Sequence, residues 1–436
     1  METTSNRIKH LRLICFLLLV VLTLPYTGIS RSDTQNFSIN HADSLEILDT
    51  KLVLKGNVSV KTSGQQAFVL KTNKLIAKKN KQGEFSEIEC FGRSSVKSQQ
   101  FVLIANKLNF YKQKNSKEFD LVKATGNVQI DSYKDSQKVK AQKVDINLSE
   151  NKLYAYSQVS SEQIIENKNK KQKVVIESEK QIIDLNENPD RSNPQKKLIA
   201  TQNVRTLLEN DADIKANKAT IFMAYYQNKW QSRNALFEGA VDLKTADGTK
   251  ATGDELNYFF AENKLIINSK LQGKSFLSVP FEEKKEQQAN INNPLETGNK
   301  KKQSFMTIKA DYIENIQIDD KRSILKAYQK SAEELVELNY GTKKGWGNEL
   351  FIKQNKDTNK NANEDDYLLL TGEAKILDTE NQQLLESSII KIGLEQKDLQ
   401  AGFTSRSRGF LPSKSMKTNE KKKDETTYFT PQRKLN

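Results

Sequence analysis

The sequence predicts an all-β fold in which one small antiparallel unit is repeated along the chain, and three observations support this. Residues 56–77 (GNVSVKTSGQQAFVLKTNKLIA), 126–148 (GNVQIDSYKDSQKVKAQKVDINL) and 239–260 (GAVDLKTADGTKATGDELNYFF) share one plan of turn, alternating strand, polar link and second alternating strand. Their apolar residues alternate with period two, and helical spacing is scarce. The 436 residues are only 36% hydrophobic, which favours an elongated array over one large spherical core.

The N-terminus, residues 1–30, has the order of a secretory signal. A basic stretch around Arg7 and Arg12 precedes the apolar run 13–24, and the small residues TGIS follow. The alternative is an uncleaved anchor, because residues 11–29 approach the roughly 20 apolar residues that cross a bilayer. The sequence therefore predicts export, with membrane attachment as the open alternative.

The repeat is anchored on a small residue in the second strand of each unit. These anchors are Thr72, Ala105, Ala141, Ser178, Ala216, Gly253, Ala310, Gly347 and Ser387. Their spacing is 33 to 40 residues, with one interval of 57 that contains the polar segment 282–303. A unit of this length holds about four short strands. The sequence thus predicts about nine units, in blocks 31–281 and 304–403, separated by an insertion loop at 282–303 and followed by a basic disordered tail at 404–436.

Smaller features complete the strand prediction. Polar stretches at 186–197 and 356–366 are interpreted as extended hairpin tips, and residues 329–340 as a short helix or another strand. Turn glycines precede the first strand of a unit and are interpreted as hairpin turns, where a permissive backbone is needed. These glycines are Gly56, Gly92, Gly126, Gly239 and Gly372.

Charge and chemistry exclude several classes of function. The formal net charge is +14, but Lys outnumbers Arg about five to one, whereas bidentate phosphate and base recognition favours Arg. Nucleic acid is therefore not an expected partner. After signal removal the chain holds one histidine, His41, and one cysteine, Cys90, without a metal-ligand cluster, phosphate loop or nucleophile elbow. We expect no enzyme, no cofactor and no metal, with Cys90 in the core and His41 on the surface.

Two recurring motifs carry a family resemblance. KGNVSV, TGNVQI, EGAVDL and TGEAKI are each followed by a stretch such as ANKLNF, AQKVDI, GDELNY or ADYIEN. Across residues 37–402 this pattern resembles the OstA-like (organic solvent tolerance) family, which includes the periplasmic bridge proteins of lipopolysaccharide transport. The resemblance implies a V-shaped antiparallel β jelly roll whose open side carries acyl chains, with Phe37 and Ile39 facing the lipid.

The candidate lipid-lining residues occupy one face of each strand pair. They are Phe37, Ile39, Val58, Val60, Leu75, Leu108, Phe110, Val128, Ile130, Val144, Ile146, Val241, Leu243, Leu256 and Tyr258. The same alternation fills an ordinary dry sandwich, so plain core is the alternative for each of them. Terminal strands with unpaired backbone groups predict end-to-end strand addition with other β-jelly-roll transport components. The alternative is that the insertion or the tail caps these strands.

Together these patterns favour a periplasmic bridge that shields the acyl chains of lipopolysaccharide or a related glycolipid between two membranes. Two alternatives stay open. One is an inner-membrane-anchored component of the same pathway. The other is a repetitive structural or surface β protein with a dry interior and no lipid.

Overall fold

All regular structure in the described residues is β-strand, in one antiparallel sheet of 26 strands. A computed structural model describes residues 37–62, 68–99, 101–113, 119–133, 137–167, 170–185, 195–226, 229–270, 274–281, 304–318, 322–331, 333–355, 366–394, 399–402 and 408–410. Within those ranges no helix has the length and apolarity to cross a membrane. The predicted signal, the insertion loop and most of the predicted tail lie outside them.

The strands have the following bounds. The first eleven are β1 Phe37–His41, β2 Ser44–Leu48, β3 Lys51–Thr62, β4 Phe68–Lys79, β5 Phe85–Ser98, β6 Phe101–Lys112, β7 Phe119–Ser132, β8 Gln137–Asn147, β9 Lys152–Asn167, β10 Lys170–Asp184 and β11 Gln195–Leu208. The next eight are β12 Ala212–Tyr226, β13 Lys229–Thr245, β14 Lys250–Phe259, β15 Lys264–Asn268, β16 Ser275–Phe281, β17 Ser304–Ala310, β18 Tyr312–Gln317 and β19 Arg322–Tyr328. The last seven are β20 Val336–Tyr340, β21 Lys343–Gly347, β22 Glu349–Asn355, β23 Tyr367–Asp378, β24 Gln383–Gly393, β25 Leu399–Gly402 and β26 Arg408–Phe410.

The sheet is a meander in which each long strand contributes to two walls. From β3 to β14 every strand pairs with the next. β14 then pairs with both β15 and β16, and β23 pairs with both β21 and β22. Short consecutive strands such as β15 and β16 are therefore the two halves of one interrupted long strand. We call the wall that contains Leu54 the first wall, and the wall that contains Val60 the second wall.

The bend between the walls is a line of β-bulges. In β3 the register against β4 shifts between Lys55 and Val58, and the two intervening residues, Gly56 and Asn57, have φ of 72° and 44°. The same shift recurs at Gly126 in β7. A bulge adds residues to one strand and increases its bend, so each long strand turns a corner here.

The sequence interpretation of the repeated glycines as hairpin turns is therefore wrong. Gly56, Gly92, Gly126, Gly239 and Gly372 all have positive φ, but each lies inside a long strand. Hairpin turns and bulges both demand a left-handed backbone that glycine adopts without strain, so the residue type alone does not separate them.

The small anchor residues lie directly beside the bend on the inner face. Thr72, Ala105 and Ala216 are all at most 7% exposed. A β-carbon at the anchor Gly253 would stand 2.7 Å from Ile267 Cγ2, so a larger residue there would push against the Ile267 side chain. The anchor is small because the two walls converge there.

Other strand predictions have mixed outcomes. Residues 336–340, within the segment interpreted as helix or strand, form β20 and pair with β17 and β21. Residues 195–197, placed in a hairpin tip, belong to β11, while 186–194 and 356–365 lie outside the described residues. Arg408–Phe410, within the predicted tail, form β26 on β24.

Candidate functional site

The inner face of the first wall is a continuous row of buried side chains. In register from β3 to β24 the row contains Leu54, Leu75, Cys90, Leu108, Ala124, Val144, Ala155, Gln181, Ala200, Ala219, Phe237, Leu256, Ile267, Ile313, Ala327, Leu350, Leu370 and Ile390. Each member is at most 2% exposed. Gln181 is the one polar member, so hydrocarbon runs along nearly the whole wall.

The second wall carries a matching inner row. It contains Val60, Leu70, Val96, Leu103, Ile130, Val139, Ser161, Ile176, Thr206, Ile214, Leu243, Ala251, Leu277, Ile308, Leu338, Gly345, Ile376 and Leu385. One hydrophobic cluster includes members of both rows. A sheet face stays exposed unless another layer covers it, and the described residues supply no layer but the two walls. The walls therefore cover each other.

Most of the predicted lining residues lie in this interior. Val58, Val60, Leu75, Leu108, Phe110, Val128, Val144, Val241, Leu243 and Leu256 are each at most 4% exposed. Ile130, Ile146 and Tyr258 are partly buried and pack against the same cluster. The side chains fill the space between the walls, so the interior is closed along these strands.

Tyr258 lies in the first wall, farther from the bend than Leu256. Its hydroxyl donates a hydrogen bond to Asn263 Oδ1 at 2.8 Å, and its ring meets the Phe260 ring edge-on at 5.1 Å. Burial, with a smaller contribution from Asp211, raises the pKa of Tyr258 to about 12. The phenol is therefore neutral at physiological pH.

The far ends of the walls also meet near the C-terminal end of the sheet. Tyr340, at the end of β20 in the second wall, donates its hydroxyl proton to the backbone oxygen of Leu394 at 3.1 Å. Leu394 follows β24, whose adjoining residues belong to the first wall. This contact ties the two walls together on the side opposite the bend.

The N-terminal edge is the exception to the closed interior. Leu45 pairs with Leu54 and Ile39 pairs with Val60, so both point to the inner face, yet they are 54% and 38% exposed. Ile47, paired with Leu52, is 65% exposed. Phe37 pairs with Thr62, and its side chain lies outside the described residues. Apolar residues therefore stand uncovered where the inner rows reach the first strands.

Leu45 and Ile47 were not among the predicted site residues. Their signal was available in the alternation of SLEIL, which follows directly after the segment NFSINHAD. What sequence does not show is which strand is last in the sheet. That position decides whether an inward residue is buried or exposed.

The outer face of the first wall carries lysines in a row beside the bend. In register order the row contains Lys55, Lys74, Phe91, Lys107, Thr125, Lys143, Tyr156, Lys180, Thr201 and Lys218. Four of the lysines have a carboxylate nearby, at 3.9 Å for Lys55, 3.9 Å for Lys107, 3.7 Å for Lys143 and 2.6 Å for Lys218. Lysines that look scattered in sequence are thus aligned by the strand register.

The remaining predicted features have structural explanations. Cys90 is fully buried, and burial, with Glu89, raises the pKa of its thiol, which makes it an unreactive core residue. His41 is exposed and its Nε2 lies 3.1 Å from Asp43 Oδ1. Within the described ranges no three His, Cys, Asp or Glu residues are grouped as metal ligands.

The geometry defines the class as an antiparallel β protein with two walls and a largely apolar interior that runs along the sheet. Among solved structures, the chain is similar to LptH, the LptA homologous periplasmic component of the lipopolysaccharide transport device from Pseudomonas aeruginosa. Identity is 17% over 35% of this chain and 77% of that chain, with a TM-score of 0.16. No protein family and no curated protein matches the chain. That likeness does not assign a function to this chain. The function proposed below rests on the residues described above.

Proposed function

We propose that this chain is a periplasmic lipid-binding bridge that shields the acyl chains of lipopolysaccharide or a related glycolipid between two membranes. One observation carries the proposal. Two in-register rows of inner side chains extend along the sheet and reach an N-terminal edge where Leu45 and Ile47 are exposed. Such rows offer hydrocarbon an interior path along the sheet.

Lipid binding requires the two walls to part. Moving one CH₂ group of an acyl chain from water into an apolar environment yields about 0.8 kcal/mol. A chain that enters between the rows replaces contacts among the inner side chains with contacts to itself. The closed interior is then the ligand-free state, and entry begins at the edge where Ile39 and Leu45 are already uncovered.

The same edge supports the proposed protein partners. Within the described residues β1 and β2 pair only with β3, so their other side carries unpaired backbone groups. A strand of another β-jelly-roll transport component can add there and extend the inner rows across the junction. End-to-end addition would keep the acyl chains out of water from one protein to the next.

The test is photo-crosslinking with a diazirine analogue of leucine, because its near-native volume avoids overpacking the core. The probe position is Leu256, an inner residue of β14. The matched control is Leu236 in the adjacent β13, which pairs with Asn257 and so points to the outer face. In living cells we expect a lipid adduct at Leu256 and none at Leu236. Equal labelling at both positions, or no lipid at Leu256, would overturn the proposal.

A second candidate is a structural or surface β protein that carries no lipid. It is favoured by the burial of the inner rows, since Leu108, Val144 and Leu256 are fully buried by protein alone. Lipid extraction and mass spectrometry on the gently purified protein separate the candidates. Bound glycolipid supports the bridge, and a lipid-free protein that never labels at Leu256 supports the structural role.

Attachment to the inner membrane is the alternative within the same pathway. The protein isolated from the periplasmic fraction begins near residue 31 if the predicted signal is cleaved. An intact run 13–24 in a membrane fraction would instead identify an anchored component. Peripheral attraction to an anionic membrane is a separate contribution, for which the lysine row of the first wall is the candidate surface.

A further inference from the structure

The inner face of β8–β11 carries polar side chains whose hydrogen-bonding atoms are buried and unpaired. The atoms are Gln137 Nε2, Ser161 Oγ, Gln163 Nε2, Gln181 Oε1 and Thr206 Oγ1. Ser161, Gln163, Gln181 and Thr206 are at most 6% exposed. The inner rows on either side of these strands are apolar, so the polar groups form a short section within a hydrocarbon interior.

Strand register places these groups together. Ile176 pairs with Ser161 on one side and with Thr206 on the other, so the two hydroxyls lie roughly 10 Å apart across one strand. Gln163 lies two residues beyond Ser161 on the same face. From the first wall, Gln181 Nε2 donates to the backbone oxygen of Ile176 at 2.9 Å. Gln181 and Ile176 both belong to β10, so this bond joins the two sides of the bend within the strand that lies between the two hydroxyls.

The inner side chains of the first wall are small at this point. Gln181 pairs with Ala155 and with Ala200, and Ala200 pairs with Ala219. Three of these four residues are alanine, which leaves less side-chain volume than the leucine, isoleucine and phenylalanine residues common elsewhere in the row. The polar section of the interior is therefore also lined by small side chains.

The bend is strained in the same strands. The bulge residues of β9 are Ser157 and Gln158, with φ of 63° and 54°, and β11 has Gln202 with φ of 68°. In β3 and β7 the first of these positions is glycine. A side chain in the left-handed region costs conformational energy, and each buried unpaired polar group costs desolvation energy. The buried unpaired polar groups therefore make the closed state less favourable in β9–β11 than in the apolar sections of the rows.

We infer that β8–β11 form a polar subsite that binds a neutral hydroxyl or amide group of an amphipathic ligand whose hydrocarbon lies along the apolar rows on either side. The inference rests on the proposed function and specifies its ligand. The glutamine Nε2 atoms donate, Gln181 Oε1 accepts, and the hydroxyls of Ser161 and Thr206 do both. All five side chains are uncharged, which matches a neutral group and not a phosphate or carboxylate.

The experiment measures how tightly two ligands displace a fluorescent probe from the exported protein. The ligands are stearate and a stearate that carries one mid-chain hydroxyl. We expect the hydroxylated chain to bind about tenfold more tightly, because its hydroxyl pairs with groups that are otherwise unsatisfied. The variant Ser161→Ala/Thr206→Val should lose the preference, so that its affinities for the two chains become equal. The control Ser94→Ala removes an inner hydroxyl that already bonds Thr72 Oγ1 at 2.8 Å, so the preference should persist.

The outcomes separate the two proposals. Equal binding of both chains by the unmodified protein, with ordered internal water alone on Ser161 and Thr206 in a crystal structure, would overturn the polar subsite and leave the lipid bridge standing. Persistence of the preference in the double variant would also overturn it. If neither chain binds, the lipid bridge itself fails. Loss of the preference in Ser161→Ala/Thr206→Val and its retention in Ser94→Ala would establish the subsite.

Discussion

Asn73 lies directly across Gly92 at the bend between the two walls. A β-carbon built at Gly92 would stand 2.6 Å from Asn73 Nδ2, a separation that real side chains do not adopt. The same relationship joins Asn106 to Gly126 and Asn217 to Gly239, at 2.8 and 2.7 Å. An asparagine on one strand thus covers a bulge glycine on the next. This contact accompanies the turn of the long strand at each of these three glycines.

Gly92→Ala should therefore destabilise the protein by about 2–3 kcal/mol, because a left-handed φ of 85° and a steric clash act together. The matched control is Gly83→Ala, since Gly83 has a similar φ of 82° but nothing within 4 Å of the new β-carbon. The control should lose only about 1 kcal/mol. Urea unfolding midpoints of both variants measure the difference. Equal losses would show that the Asn73 contact contributes nothing.

The sequence predicts the inner and outer faces well and the bend poorly. Val128 and Val144 alternate with polar residues, and period two assigns them to one face whether the space between the walls is open or filled. Openness depends on how closely the walls approach, which alternation does not encode. Likewise Gly126 announces a left-handed backbone, but only strand pairing shows that the chain continues as β7 and does not reverse.

The polar section in β8–β11 was also beyond sequence reasoning. Ser161 stands between Ser160 and Glu162, and Gln137 is followed by Lys138, so these positions look solvent-facing. Thr206 is recognised as an inner residue only because it pairs with Ile176 and Ile214. Register, which sequence leaves undetermined, decides the face.

Asp378, near the C-terminal end of the sheet, should make the free energy of unfolding depend on pH. Its carboxylate accepts hydrogen bonds from Asn381 Nδ2 at 3.0 Å and from the backbone N of Glu380 at 3.0 Å, and Lys343 Nζ lies at 3.7 Å. Burial pushes the pKa of Asp378 upward, but the hydrogen bonds from Asn381 and Glu380, with Lys343, outweigh it and lower the pKa. The contribution is present above the ordinary aspartate pKa of about 4 and is lost as pH falls through the lowered pKa.

Asp378→Asn should accordingly reduce the free energy of unfolding by about 1–2 kcal/mol at neutral pH. Denaturant unfolding across a pH series should show the deficit shrink below about pH 4. Asp242→Asn is the control, because Asp242 is 38% exposed and lies 3.5 Å from Lys244. A deficit that stays constant to the lowest pH would contradict a role for the ionised carboxylate.

The lysine row of the first wall should bind anionic membranes. Phe91 lies between Lys74 and Lys107, and Tyr156 lies between Lys143 and Lys180, with each ammonium 4.9 to 5.7 Å from a ring centre. These contacts hold the cations in one line. Each lysine near an anionic bilayer contributes about 1 kcal/mol, screened by salt.

Replacing Lys74, Lys107, Lys143 and Lys180 with glutamine should weaken binding to phosphatidylglycerol vesicles by at least about tenfold at low salt. A control with the same charge change replaces Lys61, Lys71, Lys97 and Lys140, which are exposed on the outer face of the second wall. Vesicle cosedimentation measures both. If the two variants weaken binding equally, net charge and not the row is responsible.

The N-terminal edge should govern association with other transport components or with a second copy. Ile47 is 65% exposed on the edge strand β2 and faces the same side as the buried Leu52. A lysine there places an inward charge at the end of the hydrocarbon interior, a substitution that blocks strand addition without removing a core contact. Ile47→Lys should weaken end-to-end association about tenfold or more while leaving the unfolding midpoint unchanged.

The control is Ile164→Lys, since Ile164 is 50% exposed on the outer face of β9. Sedimentation velocity over a concentration series distinguishes them, and equal behaviour of the two variants would assign association to another surface.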